Sequence, residues 1–257
     1  DIDGSSLFDE RIGESILKRS RQESNNCTSK SRRNSQSIPG VNFWPVFSLG
    51  LTSWIHVQNT LLDPSFNALD YCEDDLTVIA GEIYKQVRLD QATKVPWEDA
   101  QKFILSIRNG MPDNPYHNWT HVVDVTQTVF SLARACGLLD HLCPKQRLAL
   151  FLAALCHDIE HPGVSAGFLL KSGSSIAAWY KGDPGMLEKH HALRAFELLT
   201  CHERREGTGW ALLSRMRPRD RDNLRRLVRD LILATDMPRH AEVLSSLVGS
   251  LPPTLCA

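Results

Sequence analysis

Two histidines four residues apart, His117 and His121, and Asp124 three further on stand in the stretch NPYHNWTHVVDV. On a helix, steps of four and three return to one face, so the three side chains can converge. Imidazole nitrogen and carboxylate oxygen together form the donor set of a divalent-metal centre. The same spacing also fits an ordinary helix that happens to carry polar residues, so this stretch decides nothing alone.

A second stretch, LAALCHDIEHPG, places His157 and Asp158 at the end of a strongly apolar run, with His161 following. A carboxylate buried there is costly unless it is paired or metal-bound. The competing reading is a hydrogen-bonded core histidine beside a capping aspartate. A third stretch, LVRDLILATDMPRH, ends another apolar run with Asp236 and, four residues on, His240. A fourth, MLEKHH, gathers Glu188, His190 and His191, where a solvated helix face is the rival.

The elements that must carry these groups read as helices. Apolar residues recur at threes and fours in LTVIAGEIYKQV and WEDAQKFILSIRNG, the latter ending at a C-cap-like Gly110. A helix is expected over 116–137 behind Asn114-Pro115 as cap, with Val122, Val125 and Val129 on its core side. QRLALFLAALCHDIE is apolar nearly all round, which predicts a helix buried in the centre of the domain. MLEKHHALRAFELLT and RDRDNLRRLVRDLILATDM complete the set. No stretch alternates like a strand, so the class is all-α.

Composition bounds the rest. The chain has 257 residues, 42% hydrophobic and 23% charged, with a formal net charge of −1. That suits one soluble helical domain plus a tail and points to no nucleic acid partner. The longest apolar run is too short to span a bilayer, and there is no basic-then-apolar leader, so a cytoplasmic protein is the default. Seven cysteines, an odd number at irregular spacing, read as free thiols. Residues 1–40 are rich in Ser, Asn, Lys and Arg and read as a disordered tail, and 41–68 as a transition segment. Within the tail, RRNS makes Ser35 compatible with a basophilic kinase site as well as with chance in a Ser/Arg-rich segment.

Taken together, NPYHNWTHVVDVTQT, LAALCHDIEHPGVSAGFLL, MLEKHHALRAFELL and LRRLVRDLILATDMPRH resemble the class I cyclic nucleotide phosphodiesterases, within the HD-type metal phosphohydrolases. The resemblance spans roughly residues 60–250 and makes 69–257 a partial catalytic domain of a multi-helix bundle. It implies hydrolysis of cAMP or cGMP to the 5′-monophosphate in cyclic-nucleotide signalling. It further implies His121, His157 and Asp158 as ligands of a zinc-like ion, with Asp158 bridging to a second ion, magnesium or manganese. His117 would be the general acid. Glu188 would orient it or the metal-bound waters, His161 and Thr235 would support the site, and Tyr116, Asp236 and Met237 would line the substrate pocket. A homodimer is left open, as is the choice between cAMP and cGMP.

Three departures from the family pattern stand out. Ala166 and Lys189 each occupy a position where the family usually has Asn. The family's fourth metal-ligand aspartate and its purine-gripping glutamine have no counterpart before Ala257, so a carboxy-terminally truncated domain is expected. The alternatives that remain are a phosphohydrolase for non-cyclic nucleotides and an inactive fragment with a partner-binding role.

Overall fold

The structure, a computed structural model, describes residues 60–200, 212–213 and 215–250. The expected tail, its Ser35 and most of the transition segment lie outside them. Among the described residues every regular element is a helix. In chain order these are α1 (Glu73–Gln86), α2 (Leu89–Thr93), α3 (Trp97–Gly110), α4 (Trp119–Ala135), α5 (Leu138–His141) and α6 (Pro144–Cys156). There follow α7 (Ala166–Lys171), α8 (Ser175–Trp179), α9 (Met186–Leu199), α10 (Pro218–Leu233) and α11 (His240–Ser250), with single 3-10 turns at Ala68–Asp70 and Met237–Arg239. No helix among them is long and apolar enough to cross a membrane.

The helix that is apolar nearly all round is the centre of the domain. From Leu148 to Cys156 only Leu150 is not buried, and α6 packs against α10, α4 and α2. Each neighbour turns an apolar stripe inward: Val122, Val123 and Phe130 from α4, Leu224, Val228 and Ile232 from α10. Helices α1 and α3 close the bundle with Leu76, Ile79, Ile83, Phe103, Ile104 and Ile107. Each such side chain contributes about 1.5–3 kcal/mol by leaving water. Val125 and Val129, expected on the core side of α4, are only half-buried, because the face that meets the core runs through Val122, Val123, Thr126 and Phe130.

Of residues 60–68, the described end of the transition segment, Thr60, Leu61 and Ala68 are buried and the rest are mostly exposed. Leu61 is buried, and the buried Gln127 amide donates to the carbonyls of Leu61 (3.1 Å) and Asp63 (3.3 Å). Two further expectations are corrected. Helix α4 starts at Trp119 rather than at the residue after Asn114-Pro115, because Asn118 takes the N-cap and accepts the His121 N–H at 3.1 Å. Gly110 does not adopt a left-handed C-cap. It is the last residue of α3, and a Cβ there would lie 3.3 Å from Ile159 Cδ1, a tight contact against the end of that side chain. Helices α7 and α8 are too short to declare themselves by periodicity; they cover a small separate core of Leu169, Ala177, Met186 and Leu187. Cys72, Cys136, Cys143 and Cys156 are free thiols.

Candidate metal centre

The end of α6 builds the site. After Cys156 the chain turns through 157–160, Glu160 adopts a left-handed backbone at φ 58°, and Pro162 prevents the helix from resuming. His157 Nδ1 donates to the Ala154 carbonyl one turn back (2.9 Å), which aims its Nε2 lone pair away from the helix. Helix α4 brings His121 to the same place. His121 Nε2 and His157 Nε2 are 3.3 Å apart, and each lies 3.3 Å from Asp158 Oδ2.

Three lone-pair atoms so close repel one another unless a positive charge lies among them. Without a metal ion, a proton takes that part. Burial alone would lift the Asp158 carboxyl, but hydrogen bonds from His121 and His157 and the charges of His157 and His191 outweigh it and hold Asp158 well below the carboxylate range. Burial would likewise lower His157, yet the Asp158 hydrogen bond and charge, with the Ala154 carbonyl, leave it above the ordinary imidazole value. A divalent ion fits the same three donors, two nitrogens and one oxygen.

A second candidate group shares Asp158 and adds His161 and His191. His191 is buried on α9; its Nδ1 donates to the Ile159 carbonyl at 2.7 Å, and its Nε2 lies 3.8 Å from Asp158 Oδ1. His161 Nδ1 accepts the Gly163 N–H at 3.0 Å. Burial, with repulsion from nearby imidazoles, pushes His161 down to about 4 and His191 down to about 3, so both are neutral at pH 7. His191 then keeps a lone pair on Nε2, whereas His161, whose Nδ1 accepts from Gly163, carries its proton on Nε2.

His117 lies just before α4, at the mouth of the site. Its ring stacks on His161 (3.8 Å between centroids), and its Nε2 is 4.0 Å from Asp158 Oδ2. Burial lowers its pKa; the Asp158 charge opposes this, and His121 and His157 reinforce it. Asn114 ties this loop to the metal turn by donating to the carbonyls of His117 (3.1 Å) and His161 (2.8 Å). Gly163, at φ 76°, is required beneath it: a Cβ there would lie 2.6 Å from Asn114 Oδ1. Asp124 is half-buried on α4 and joins neither candidate metal group. The convergence expected of His117, His121 and Asp124 on one helix face therefore reduces to His121, with His117 arriving from the preceding loop.

The remaining predicted residues form a rim. Glu188 and Asp236 line a cleft of about 360 Å³ with Asp183, Lys189 and Arg239. Burial and the charges of Asp236, Asp158 and Asp183 raise the Glu188 carboxyl. The Glu188 side chain makes no hydrogen bond to His117, one of the two partners its expected orienting role allowed. Thr235 spends its hydroxyl on the Ile232 carbonyl (2.7 Å), which turns it back onto its own helix. Met237 is 73% exposed and Tyr116 63%, with the Tyr116 ring against His121 at 4.6 Å. Lys189 pairs with Asp183, and Ala166 opens α7 behind the capping Ser165.

Two features carried no assignment from sequence. His191 was legible as a member of KHH, and its place on the apolar side of α9, between Leu187 and Ala195, was the available signal. Glu160, paired with Arg194 (2.6 Å) and His190 (3.4 Å), left no signal, because its partners lie thirty or more residues away.

The family model described as 3'5'-cyclic nucleotide phosphodiesterase matches residues 116–252, a span that contains both candidate metal groups. Among curated proteins, the chain is 34% identical over 179 residues to the 3',5'-cyclic-nucleotide phosphodiesterase regA of Dictyostelium discoideum, covering 69% of this chain and 22% of that protein. It is 32% identical over 173 residues to a 3',5'-cyclic-AMP phosphodiesterase, isoform F, of Drosophila melanogaster, covering 67% of this chain and 25% of that one. The chain thus spans about a quarter or less of the length of these relatives. Among solved structures, the phosphodiesterase domain of the RhoPDE fusion protein from the choanoflagellate Salpingoeca rosetta superposes with a TM-score of 0.67 at 27% identity, over 75% of this chain and 60% of that one. With the family model matching more than half of its residues and the histidine–aspartate centre inside the matched span, the chain belongs to the 3',5'-cyclic nucleotide phosphodiesterase family.

Proposed function

We propose that the protein hydrolyses a 3',5'-cyclic nucleotide, cAMP or cGMP, to the 5'-monophosphate with two divalent ions, Zn2+ and Mg2+ or Mn2+. The observation that carries this reading is the meeting of His121 Nε2, His157 Nε2 and Asp158 Oδ2 within 3.3 Å of one another, inside the family-matched span. Those three residues would hold the zinc ion. Asp158 Oδ1, on the His191 side, would reach the second ion. Ions held there supply Lewis-acid chemistry: activation of water and neutralisation of charge on the phosphoryl oxygens.

The chain's own side chains do the rest. His117, partly exposed beside Asp158, is placed to hand a proton to the departing 3'-oxygen, and an imidazole can exchange that proton near neutral pH. His161 backs the His117 ring and fixes its plane. His157 is oriented by its bond to Ala154, and the raised Glu188 carboxyl sits at the acidic edge where the substrate phosphate would enter. Tyr116, Asp236 and Met237 form the outer wall for the nucleoside.

The test is hydrolysis of cAMP and cGMP by the 257-residue chain with Zn2+ and Mg2+ added, beside metal analysis by equilibrium dialysis. Turnover of either nucleotide that disappears in His157→Ala is expected. A folded chain that neither binds metal nor turns over either nucleotide overturns the reading.

A further inference from the structure

The turn that carries Asp158 and His161 is not held by close packing on all sides. Behind it, between α3 and α9, lies a cleft of about 460 Å³ lined by Lys102, Ser106, Ile159, Glu160, Arg194 and Leu198, among others. The turn also contains an unfavourable backbone. Glu160 has a β-carbon and yet sits at φ 58°, in the left-handed region that L residues occupy only against steric crowding. Something must hold it there.

What holds it comes from α9. Arg194 reaches across with Nη2 2.6 Å from Glu160 Oε1, and His190 Nε2 lies 3.4 Å from Oε2, so both oxygens of one carboxylate are engaged. The arginine is itself braced by Glu197, and its side chain is only 12% exposed. One residue along α9 from His190, His191 Nδ1 grips the Ile159 carbonyl at 2.7 Å. Two consecutive residues of the turn are therefore fastened to two consecutive histidines, and Arg194, one helical turn later, locks the outer one.

We propose that Arg194 is a positioning residue of the metal centre: through the Glu160 carboxylate, with His190, it holds the 158–161 turn in the conformation that presents Asp158 to His121 and His157. The proposal rests on the metal reading of the preceding subsection. The clamp touches neither metal nor substrate. Its effect is on how well Asp158 is aimed, and loss of such outer support typically costs about 10–100-fold in metal affinity.

Zn2+ and Mn2+ binding to the full chain is measured by equilibrium dialysis for the parent, Arg194→Gln, Arg194→Lys, Glu160→Gly and the double variant, each at a temperature where circular dichroism shows it folded. Arg194→Gln is expected to weaken metal binding about tenfold, and Arg194→Lys, which keeps one ion pair, by less. Glycine adopts the left-handed backbone freely, so Arg194→Gln made on top of Glu160→Gly should weaken binding no further. Equal weakening by Arg194→Gln in both backgrounds would show that the arginine acts elsewhere, for instance through Glu197, and overturns the clamp. Unchanged metal affinity in a folded Arg194→Gln chain overturns it too, as does Arg194→Lys failing as badly as Arg194→Gln. If Arg194→Gln does not fold, the comparison of Glu160→Gln with Glu160→Gly decides: the proposal requires Glu160→Gln to bind metal more weakly. A parent chain that binds no metal overturns the metal reading and the clamp together, whereas a metal-binding parent matched by its variants sinks the clamp alone.

Discussion

The inner cluster and the rim differ in how their side chains are held. His157, His161 and His191 are buried, and each has one ring nitrogen bonded to the backbone, to Ala154, Gly163 and Ile159 respectively. Their other ring nitrogens therefore keep fixed directions, with that of His161 carrying the proton because its Nδ1 accepts. Tyr116 and Met237 are mostly exposed, and Glu188 and Asp236 face each other as like charges across an open cleft. In the proposed reading, the ion-binding centre is held in advance by backbone hydrogen bonds, while the wall for the nucleotide is left free to adapt.

That contrast can be broken from the inside outward. The largest effect is expected from His157→Ala or Asp158→Ala, which remove a donor shared by the cluster: metal content in dialysis and turnover should both fall to background. His117→Gln should separate the two properties. Turnover falls by about 10²–10⁴ if His117 donates the proton, with metal content unchanged; loss of metal instead would move His117 into the ligand set. Gly163→Ala forces a β-carbon into a left-handed residue and against Asn114 Oδ1, and should destabilise the fold on the order of 1–3 kcal/mol in chemical denaturation.

Acid titration probes the inner cluster alone. In chelator-treated protein His161 and His191 sit at about 4 and about 3, below the 6.5 of an unfolded imidazole. The unfolded chain therefore binds more protons below pH 6.5, and stability must fall as pH drops from there towards 3. Asp158 and Glu160, both lowered, work in the same direction at the acid end of that range. A denaturation midpoint flat between pH 6.5 and 4 would contradict buried neutral histidines. The smallest effect is expected at the rim, where Met237→Ala should change stability by less than about 0.5 kcal/mol and leave metal content alone. If it altered metal binding, the rim would not be independent of the cluster.

Part of this was written in local sequence. His121, His157 and Asp158 could be picked out because a histidine–aspartate pair at the end of an apolar helix is conspicuous wherever it occurs. Helix α6 was recognisable because a segment apolar nearly all round has nowhere to go but the centre. His117 was found for the wrong geometric reason: it was read one turn up the helix, whereas Asn118 caps α4 and leaves His117 in the loop. Asp124 satisfied the same periodicity and takes no part, since periodicity specifies a face and not what that face meets.

What the sequence determined by itself is the all-helical class, the burial of α6 and the residue types of the metal centre, because these depend on patterns within a few turns of chain. The tertiary structure alone decided that His191, rather than Asp124, approaches Asp158, and that Glu160 is clamped from α9. It alone also decided that Gly110 lies close against Ile159 rather than forming a left-handed helix cap. Each of these is a meeting of residues thirty or more positions apart, set by how α3, α6 and α9 pack, and no local spacing encodes it.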